Sequence, residues 1–499
     1  MSRCLLGIDA GNTMIKAVLF DLAGTVLAVA ECAGETHQPQ PGYAERPIED
    51  IYQGVTQAVR ACLAQVSQRN VQVLAVGAAG HGNGVYALDK QGRPLLGIQS
   101  IDNRAHERVQ QLELEGRDLV IYQRSLQKPW PAATPVLVSW LKRHQPEVYA
   151  HIGHFLLAKD VIAYFLSGVI SSDYSDAAGA GLLYYASRDY DRELMALYDI
   201  EDALPLLAPL NESCDVVGHI TAQAAALTGL PVGIPVVAGI FDVVASAVGS
   251  GVVNTGEASI VAGTWSINQV VVDKPDYLRP VFMNSIIERD RYMAIEASAT
   301  SAANLDWFLR EFDDGRAGQG AARSSDIVAH VTANKALPLY HPYLYSGRKE
   351  GLSKAGFYGL GGWHTRADML YALFEGVTFA HRAHIDRLRA AGIPFEKATL
   401  SGGAARSCIW PQMFADVLGI PINVTECKET GALGAAICAG VGVGIWQDLS
   451  AGVAQAVKVT ARPLLPNPEQ FAFHEPRYRL FKKLETVMAG VWQEDEEIL

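Results

Sequence analysis

The strand-like run Leu5–Asp9 ends in a carboxylate, and Gly11-Asn12-Thr13 follow it before a second strand-like run opens at Met14. A carboxylate at a strand end suits a hydrated Mg²⁺, and a tight turn presents backbone N–H and hydroxyl donors to phosphate oxygens. Lys16 adds a point charge two residues into the second strand. An ordinary hairpin with a turn aspartate fits the same residues, so both readings stand at this point. The turn joins two strands and opens no helix, which excludes the G-x-G-x-x-G dinucleotide site.

A second carboxylate, Asp242, closes the apolar run Pro235–Phe241 and precedes the small-residue stretch Val243–Gly249. There it can take the proton of a hydroxyl as that hydroxyl attacks phosphorus, or it can cap a helix. Gly80-His81-Gly82-Asn83-Gly84 lets backbone come close to a polar ligand, with His81 and Asn83 able to hydrogen-bond its hydroxyls; a plain glycine-rich turn has the same composition. Trp130 suits stacking on a sugar face or a place in the core. In Ser401–Ser407, Gly402 and Gly403 let a flat ring approach the backbone and Ser407 stands at a helix start, although a tight strand-helix connection looks alike. The run Ile8–Ile15 is echoed at Ile260–Ile267, where Gly263 and Thr264 repeat the order strand, glycine, threonine, strand. Two such hairpins can grip one triphosphate from both sides.

These residues need a scaffold larger than one core. At 499 residues the chain predicts two domains with a cleft, the usual place for a small-molecule site. A β-meander is expected over Leu5–Asp9, Met14–Asp21 and Thr25–Ala30, then a helix near Ile48–Val66 and a strand at Val71–Ala78. The domain boundary is placed near Ser246–Gly256, giving domains 1–248 and 249–499. Beyond it come strands Ser259–Ala262 and Ser266–Val272, a helix at Arg366–Leu388, a strand at Ala398–Leu400, helices at Ser407–Leu418 and Gly431–Gly440, and a closing helix from Gln470.

A net charge of −12 argues against nucleic acid as the main partner. Seven scattered cysteines with no C-x-x-C spacing indicate neither a disulfide framework nor a zinc site, and read as reduced thiols in the cytoplasm. Gly229–Val253 is long and apolar enough to cross a bilayer, but Pro231, Pro235 and the central Asp242 argue for a buried strand and helix, with no membrane association.

In order and spacing, this set of segments resembles the FGGY carbohydrate kinases over nearly the whole chain. Asp9-Ala10-Gly11-Asn12-Thr13 is similar to the family's first phosphate loop, His81-Gly82 to its substrate loop and Asp102-Asn103-Arg104 to its D-x-R segment. Trp140-Leu141 falls in the first signature, and Lys159-Asp160 and Ser172–Asp176 in the blocks that follow. Phe241-Asp242 matches the catalytic base and Gly263-Thr264 the second phosphate loop. Ala355–Leu360 and Asp368–Glu375 match the second signature, and Gly402-Gly403-Ala404 with Gln412, Asp416 and Glu429–Ala436 resembles the adenosine-side motif. Three positions depart from the pattern: Leu137 replaces a lysine, Gly347–Glu350 replaces G-E-R-x-P, and Ala302-Ala303 replaces a glycine.

The resemblance implies an α/β, two-domain actin-like fold of the sugar kinase, Hsp70 and actin type, ribonuclease H-like, with an interdomain catalytic cleft. It implies ATP and Mg²⁺ as cofactors, Asp242 as base, and Asp9 toward the metal. Gly11, Asn12, Thr13, Lys16, Gly263, Thr264, Gly402, Gly403 and Ser407 fall on the ATP side; His81, Gly82, Asn83, Trp130 and Phe241 fall on the substrate side with Asp242. The loop around His81 looks most like that of L-xylulose kinases, so the expected acceptor is a primary hydroxyl of a pentulose. An erythritol or other polyol kinase, and an inactive nucleotide-binding regulator on the same fold, are the competing readings. Dimers are frequent in the family, and the resemblance leaves a homodimer open without settling the oligomeric state.

Overall fold

The structure is a computed structural model that describes residues 2–312, 320–332, 336–345 and 353–498. The elements that matter below are β1 (Ser2–Ala10), β2 (Met14–Asp21), β3 (Val26–Ala33), α1 (Ile48–Gln65), β4 (Val71–Gly80), β5 (Val216–His219), β6 (Pro235–Val237), β7 (Ile240–Phe241) and α2 (Asp242–Gly249). They continue with β8 (Ala258–Ala262), β9 (Ser266–Val272), α3 (Arg366–Ala390), β10 (Ala398–Ser401), α4 (Trp410–Leu418), β11 (Ile422–Val424), α5 (Thr430–Gly442) and α6 (Pro468–Ile498). Two compact units emerge, neither continuous in sequence. The first comprises Met1–Thr255, Val271–Ala294 and Glu429–Lys458; the second comprises Gly256–Val270, Ile295–Lys428 and Val459–Leu499. The expected division at 248/249 follows chain order, whereas the compact units carry two later segments back into the first.

In the first unit the sheet runs β5-β6-β4-β1-β2-β3, with β7 also paired to β4. The expected meander is its edge: β1 pairs antiparallel with β2, and β2 with β3. β1 lies parallel to β4. Cys4 through Ile8 are buried without alternation, as a strand covered on both faces requires. One cover is α1, whose Ile48, Ile51, Val55, Val59 and Cys62 recur on one face and are buried. Each buried Val or Ile there stabilises by about 1.5–3 kcal/mol relative to exposure.

The other cover is α5, a helix of small residues, buried from Thr430 to Gly440. It reaches the sheet backbone to backbone. A Cβ on Gly7 would stand 1.9 Å from the Ala432 carbonyl oxygen, and one on Gly77 2.1 Å from that of Ala435. Either Gly→Ala change would force the helix off the strands. The apolar stretch Gly229–Val253 resolves into β6, β7 and α2, and no described helix is long and apolar enough to cross a membrane.

In the second unit β8 pairs antiparallel with β9 and parallel with β10, and β10 parallel with β11. α3 starts at a reciprocal capping box between Thr365 and Asp368. α4 ends at Gly419, whose φ of +67° a side-chain-bearing residue resists. The closing helix α6 begins at Pro468, two residues before the expected start.

Candidate active site

Register places the two aspartates. Asp9 of β1 lies opposite Ala79 of β4, and Ala79 lies opposite Ile240 of β7; one residue on, Ala10, Gly80 and Phe241 form the next row. The three strands are parallel, so Asp9 and Asp242 emerge at the same, carboxyl, end of the sheet with one strand between them. Sheet spacing puts the outer two strands about 10 Å apart.

Across the β1–β2 hairpin, Asp9 faces Lys16. Lys16 Nζ pairs with Glu429 Oε2 at 2.8 Å. The first turn of α5 closes over Asp9 so tightly that a Cβ on Gly431 would lie 2.3 Å from Oδ2. Burial pushes the Asp9 carboxyl up to about 6, with Lys16 opposing the rise and Glu429 adding to it.

Asp242 is the first residue of α2, while Phe241 holds the N-cap position and makes no side-chain cap bond. The Asp242 carboxylate accepts a hydrogen bond from the Val243 N–H. Burial holds it well above the usual carboxylate range, and the nearby Asp9 charge pushes the same way. A carboxylate so destabilised is a stronger proton acceptor than an exposed one.

The strand end that carries Asp242 hangs from a buried ionic network. Lys159, fully buried, donates to Asp160 and, at 2.8 Å, to Asp173 Oδ1. Asp173 Oδ2 accepts from Ser175 Oγ at 2.5 Å and Ser213 Oγ at 2.6 Å. Ser175 Oγ in turn accepts from the Phe241 N–H at 2.9 Å. Removing one partner of such a buried ionic set costs roughly 3–5 kcal/mol. The family blocks include Lys159, Asp160, Asp173 and Ser175 but not Ser213, and only the fold shows that the network leads to Asp242.

The turn Gly11-Asn12-Thr13 is held from behind. Gly11 N–H bonds the Met14 carbonyl at 3.0 Å, and Gly34 N–H bonds that of Thr13 at 2.8 Å. Arg46 donates to the carbonyls of Gly11 (3.3 Å) and Asn12, and Gln99 Nε2 donates to that of Asn12 at 2.8 Å. Nothing in the spacing of the chain pointed to Arg46 or Gln99.

The loop after β4 lies beside Phe241. A Cβ on Gly82 would stand 2.4 Å from the Phe241 ring, and one on Gly179 2.9 Å, so two glycines admit the ring between them. His81 is 4% exposed, with Nε2 2.9 Å from the Tyr86 hydroxyl and Nδ1 3.4 Å from the Gly82 carbonyl. Both ring nitrogens are thus occupied inside the protein, and burial lowers the imidazole to about 4, keeping it neutral. Asn83 adopts φ +63°, donates to the Gly179 carbonyl at 3.4 Å, and has a buried Oδ1 with no partner among the described residues. Trp130 is half-buried against the cluster that includes Val85 and Ile98.

The second unit assembles its own group. Gly402, at φ +86°, has no room for a Cβ, which would lie 2.8 Å from the Ala262 carbonyl carbon and 3.0 Å from the Gly263 nitrogen. The Gly263 carbonyl accepts from Ala302 N–H at 2.8 Å. Gly263, Ala302, Gly402 and Gly403 therefore cluster, with Thr264 exposed beside them. Ser407 Oγ accepts from the N–H groups of Ile409 and Trp410 and bonds Ser325 Oγ at 2.8 Å, so it braces the turn that leads into α4, whose N-cap position is held by Ile409. The single adenosine-side motif read from Gly402 to Ala436 is divided by the fold, because Glu429 and Gly431 belong to the first unit beside Asp9. Gly347–Glu350 lies outside the described residues.

Comparison with known proteins agrees with this geometry. The chain matches the FGGY family of carbohydrate kinases, N-terminal domain, over residues 4–249 and the C-terminal domain over residues 258–443. It belongs to that family, is a carbohydrate kinase, and has the two-domain actin-like α/β fold. It is 32% identical over 497 residues to the L-xylulose/3-keto-L-gulonate kinase of Escherichia coli (strain K12), covering 98% of each chain. It is 29% identical to the autoinducer-2 kinase of Yersinia enterocolitica, covering 94% of this chain and 92% of that one. Among solved structures, the xylulose kinase from Rhodospirillum rubrum superposes with a TM-score of 0.87 at 26% identity, covering 98% of this chain and 100% of that one.

Proposed function

We propose that this kinase transfers the γ-phosphoryl group of ATP to a primary hydroxyl of a pentulose, with L-xylulose the leading candidate. The observation that carries the reading is the pair Asp9 and Asp242 at the carboxyl ends of β1 and β7, beside the turn Gly11-Asn12-Thr13. The similarity to the L-xylulose/3-keto-L-gulonate kinase supports the choice of sugar.

The residues fit Mg²⁺ and a polyphosphate. Among the described residues no group of three or more His, Cys, Asp or Glu side chains is gathered for a metal. A cation that keeps most of its waters and takes one carboxylate plus phosphate oxygens needs no such group, and Asp9 supplies that carboxylate. When bound, Mg²⁺ neutralises charge that builds on the phosphate oxygens during transfer.

The chain's own residues supply the rest. Asp242 takes the proton of the attacking hydroxyl, and the Ser175 bond to Phe241 N–H fixes the direction from which it does so. Gly11, Asn12 and Thr13 present donors to phosphate oxygens. Lys16, tied to Glu429, contributes charge to that region while holding the first turn of α5 in place. Gly263, Thr264, Gly402 and Gly403 serve the nucleotide on the second unit. Gly82, Asn83, Trp130 and Phe241 serve the sugar, and His81 supports that loop through Tyr86. Closure over the substrates would exclude water, which competes with the sugar as acceptor. Use of ATP, and cysteine spacing that suits neither a disulfide framework nor a zinc site, support a cytoplasmic location.

The test is ADP release with purified protein across L-xylulose, 3-keto-L-gulonate, D-xylulose, erythritol, pentitols and autoinducer-2. Preference for a pentulose by kcat/KM supports the proposal. Preference for erythritol or another polyol overturns the sugar assignment alone; ATP binding without release for any acceptor points to the regulator reading.

A further inference from the structure

We infer that Arg46 is a positioning residue for nucleotide phosphate: it rotates two peptide units of the Gly11–Thr13 turn so that their N–H groups face outward together. This rests on the kinase reading above and extends it to a residue in no motif of the site. Arg46 lies two residues ahead of α1, outside the strands and loops that carry the aspartates, and is 2% exposed.

The guanidinium is spent on carbonyl oxygens. Its acceptors are the backbone oxygens of Gly11, Asn12 and Glu35, and among the described residues no carboxylate lies within ion-pair distance of it. Leaving a buried cation without a carboxylate is costly, so the fold keeps it there against a penalty that a neutral side chain would avoid. Room is made by Gly34, where a Cβ would lie 2.0 Å from an Arg46 terminal nitrogen.

Peptide planarity turns this arrangement into a phosphate device. The carbonyl of residue 11 and the N–H of residue 12 belong to one rigid unit and point in opposite directions; so do the carbonyl of 12 and the N–H of 13. Arg46 draws the carbonyls of Gly11 and Asn12 toward itself, and Gln99 takes a second hold on that of Asn12. The N–H groups of Asn12 and Thr13 are therefore aimed away from the protein interior, and neither donates to a protein acceptor among the described residues. Two adjacent N–H groups aimed the same way make an anion-binding concavity. The planar fork of an arginine can hold two carbonyls at once, and the positive charge behind the turn adds to the attraction.

Calorimetric titration of Arg46→Gln, Arg46→Lys and wild type with Mg-ATP and with AMP separates this role from general loss of structure. AMP lacks the β- and γ-phosphates, so its binding reports the rest of the nucleotide site. In both variants Kd for Mg-ATP should rise about tenfold or more, the size expected when hydrogen bonds to a charged group are lost. Kd for AMP and KM for the sugar should stay within about twofold. Equal weakening of ATP and AMP, or no weakening, overturns the inference; so does full ATP affinity in Arg46→Lys, which keeps the charge and loses the fork. If the Arg46 variants do not fold, Gln99→Met carries the same test with a smaller expected shift, and an unchanged ATP-to-AMP ratio there overturns it. Failure of wild type to bind ATP at all instead sinks the kinase reading on which this one rests.

Discussion

Gly431 stands against Asp9 with no room for a side chain: a methyl carbon there would lie 2.3 Å from Oδ2. Gly431→Ala should therefore displace the Asp9 carboxylate or the first turn of α5. Because misplacing a reacting group by about 1 Å can cost on the order of 100-fold, kcat/KM should fall roughly 10- to 100-fold. Circular dichroism should show the fold retained. Activity within twofold of wild type would show that the contact relaxes harmlessly.

Asp242→Asn keeps the shape of the proposed base and removes its ability to accept a proton. General-base contributions of about 10²–10⁴ set the expected loss in kcat. Titration with Mg-ATP should give near-normal affinity. Near-normal turnover would sink the base assignment.

Asp9 makes a prediction about stability with a definite sign. Its carboxyl is raised from 3.8 to about 6 in the folded protein, so between those pH values the native state holds a proton that the unfolded chain has released. Native stability therefore falls as pH rises through this window, and the full penalty applies above it. Asp9→Asn should be more stable than wild type at pH 7.5 by roughly 2–3 kcal/mol, with the gap closing toward pH 4. Urea unfolding at the two pH values measures it, and assays should show the stabilised variant to be inactive.

Lys16 and Glu429 pull the Asp9 carboxyl in opposite directions. Lys16→Met leaves the Glu429 charge uncompensated and should move the acid limb of kcat/KM to higher pH by about half a unit or more. Adding Glu429→Gln should bring it back. A pH profile unchanged in the single variant would show that the pair acts only as a tether.

The parts of this arrangement that were readable from sequence are those confined to one strand and its turn. Apolar runs and turn chemistry marked β1 and β2 and hence Asp9; the apolar run into β7 marked Asp242; regular spacing of apolar residues marked α1. What escaped were partnerships made through folding. Lys16 and Glu429 meet across 413 positions of chain, and no local pattern carries that distance. Arg46 carries no signal in the sequence, because its acceptors are main-chain oxygens that every residue possesses. His81 read either as a ligand contact or as part of a plain turn; its bond to Tyr86 depends on β4 and the strand after it, which composition does not reveal.

The order in which the ribosome delivers this chain bears on how it matures. α5 covers β1 and β4 through contacts as close as those of Gly7 with Ala432 and Gly77 with Ala435, yet it is translated after most of the second unit. At about 5–20 residues per second, β1 and β4 wait tens of seconds for that cover. A nascent chain stalled near residue 250 would carry a complete strand set with one apolar face open to solvent, and it would be a substrate for chaperones and proteases. The same holds for a message truncated anywhere before the codon for Gly442: its product lacks the last layer of the unit that bears both aspartates.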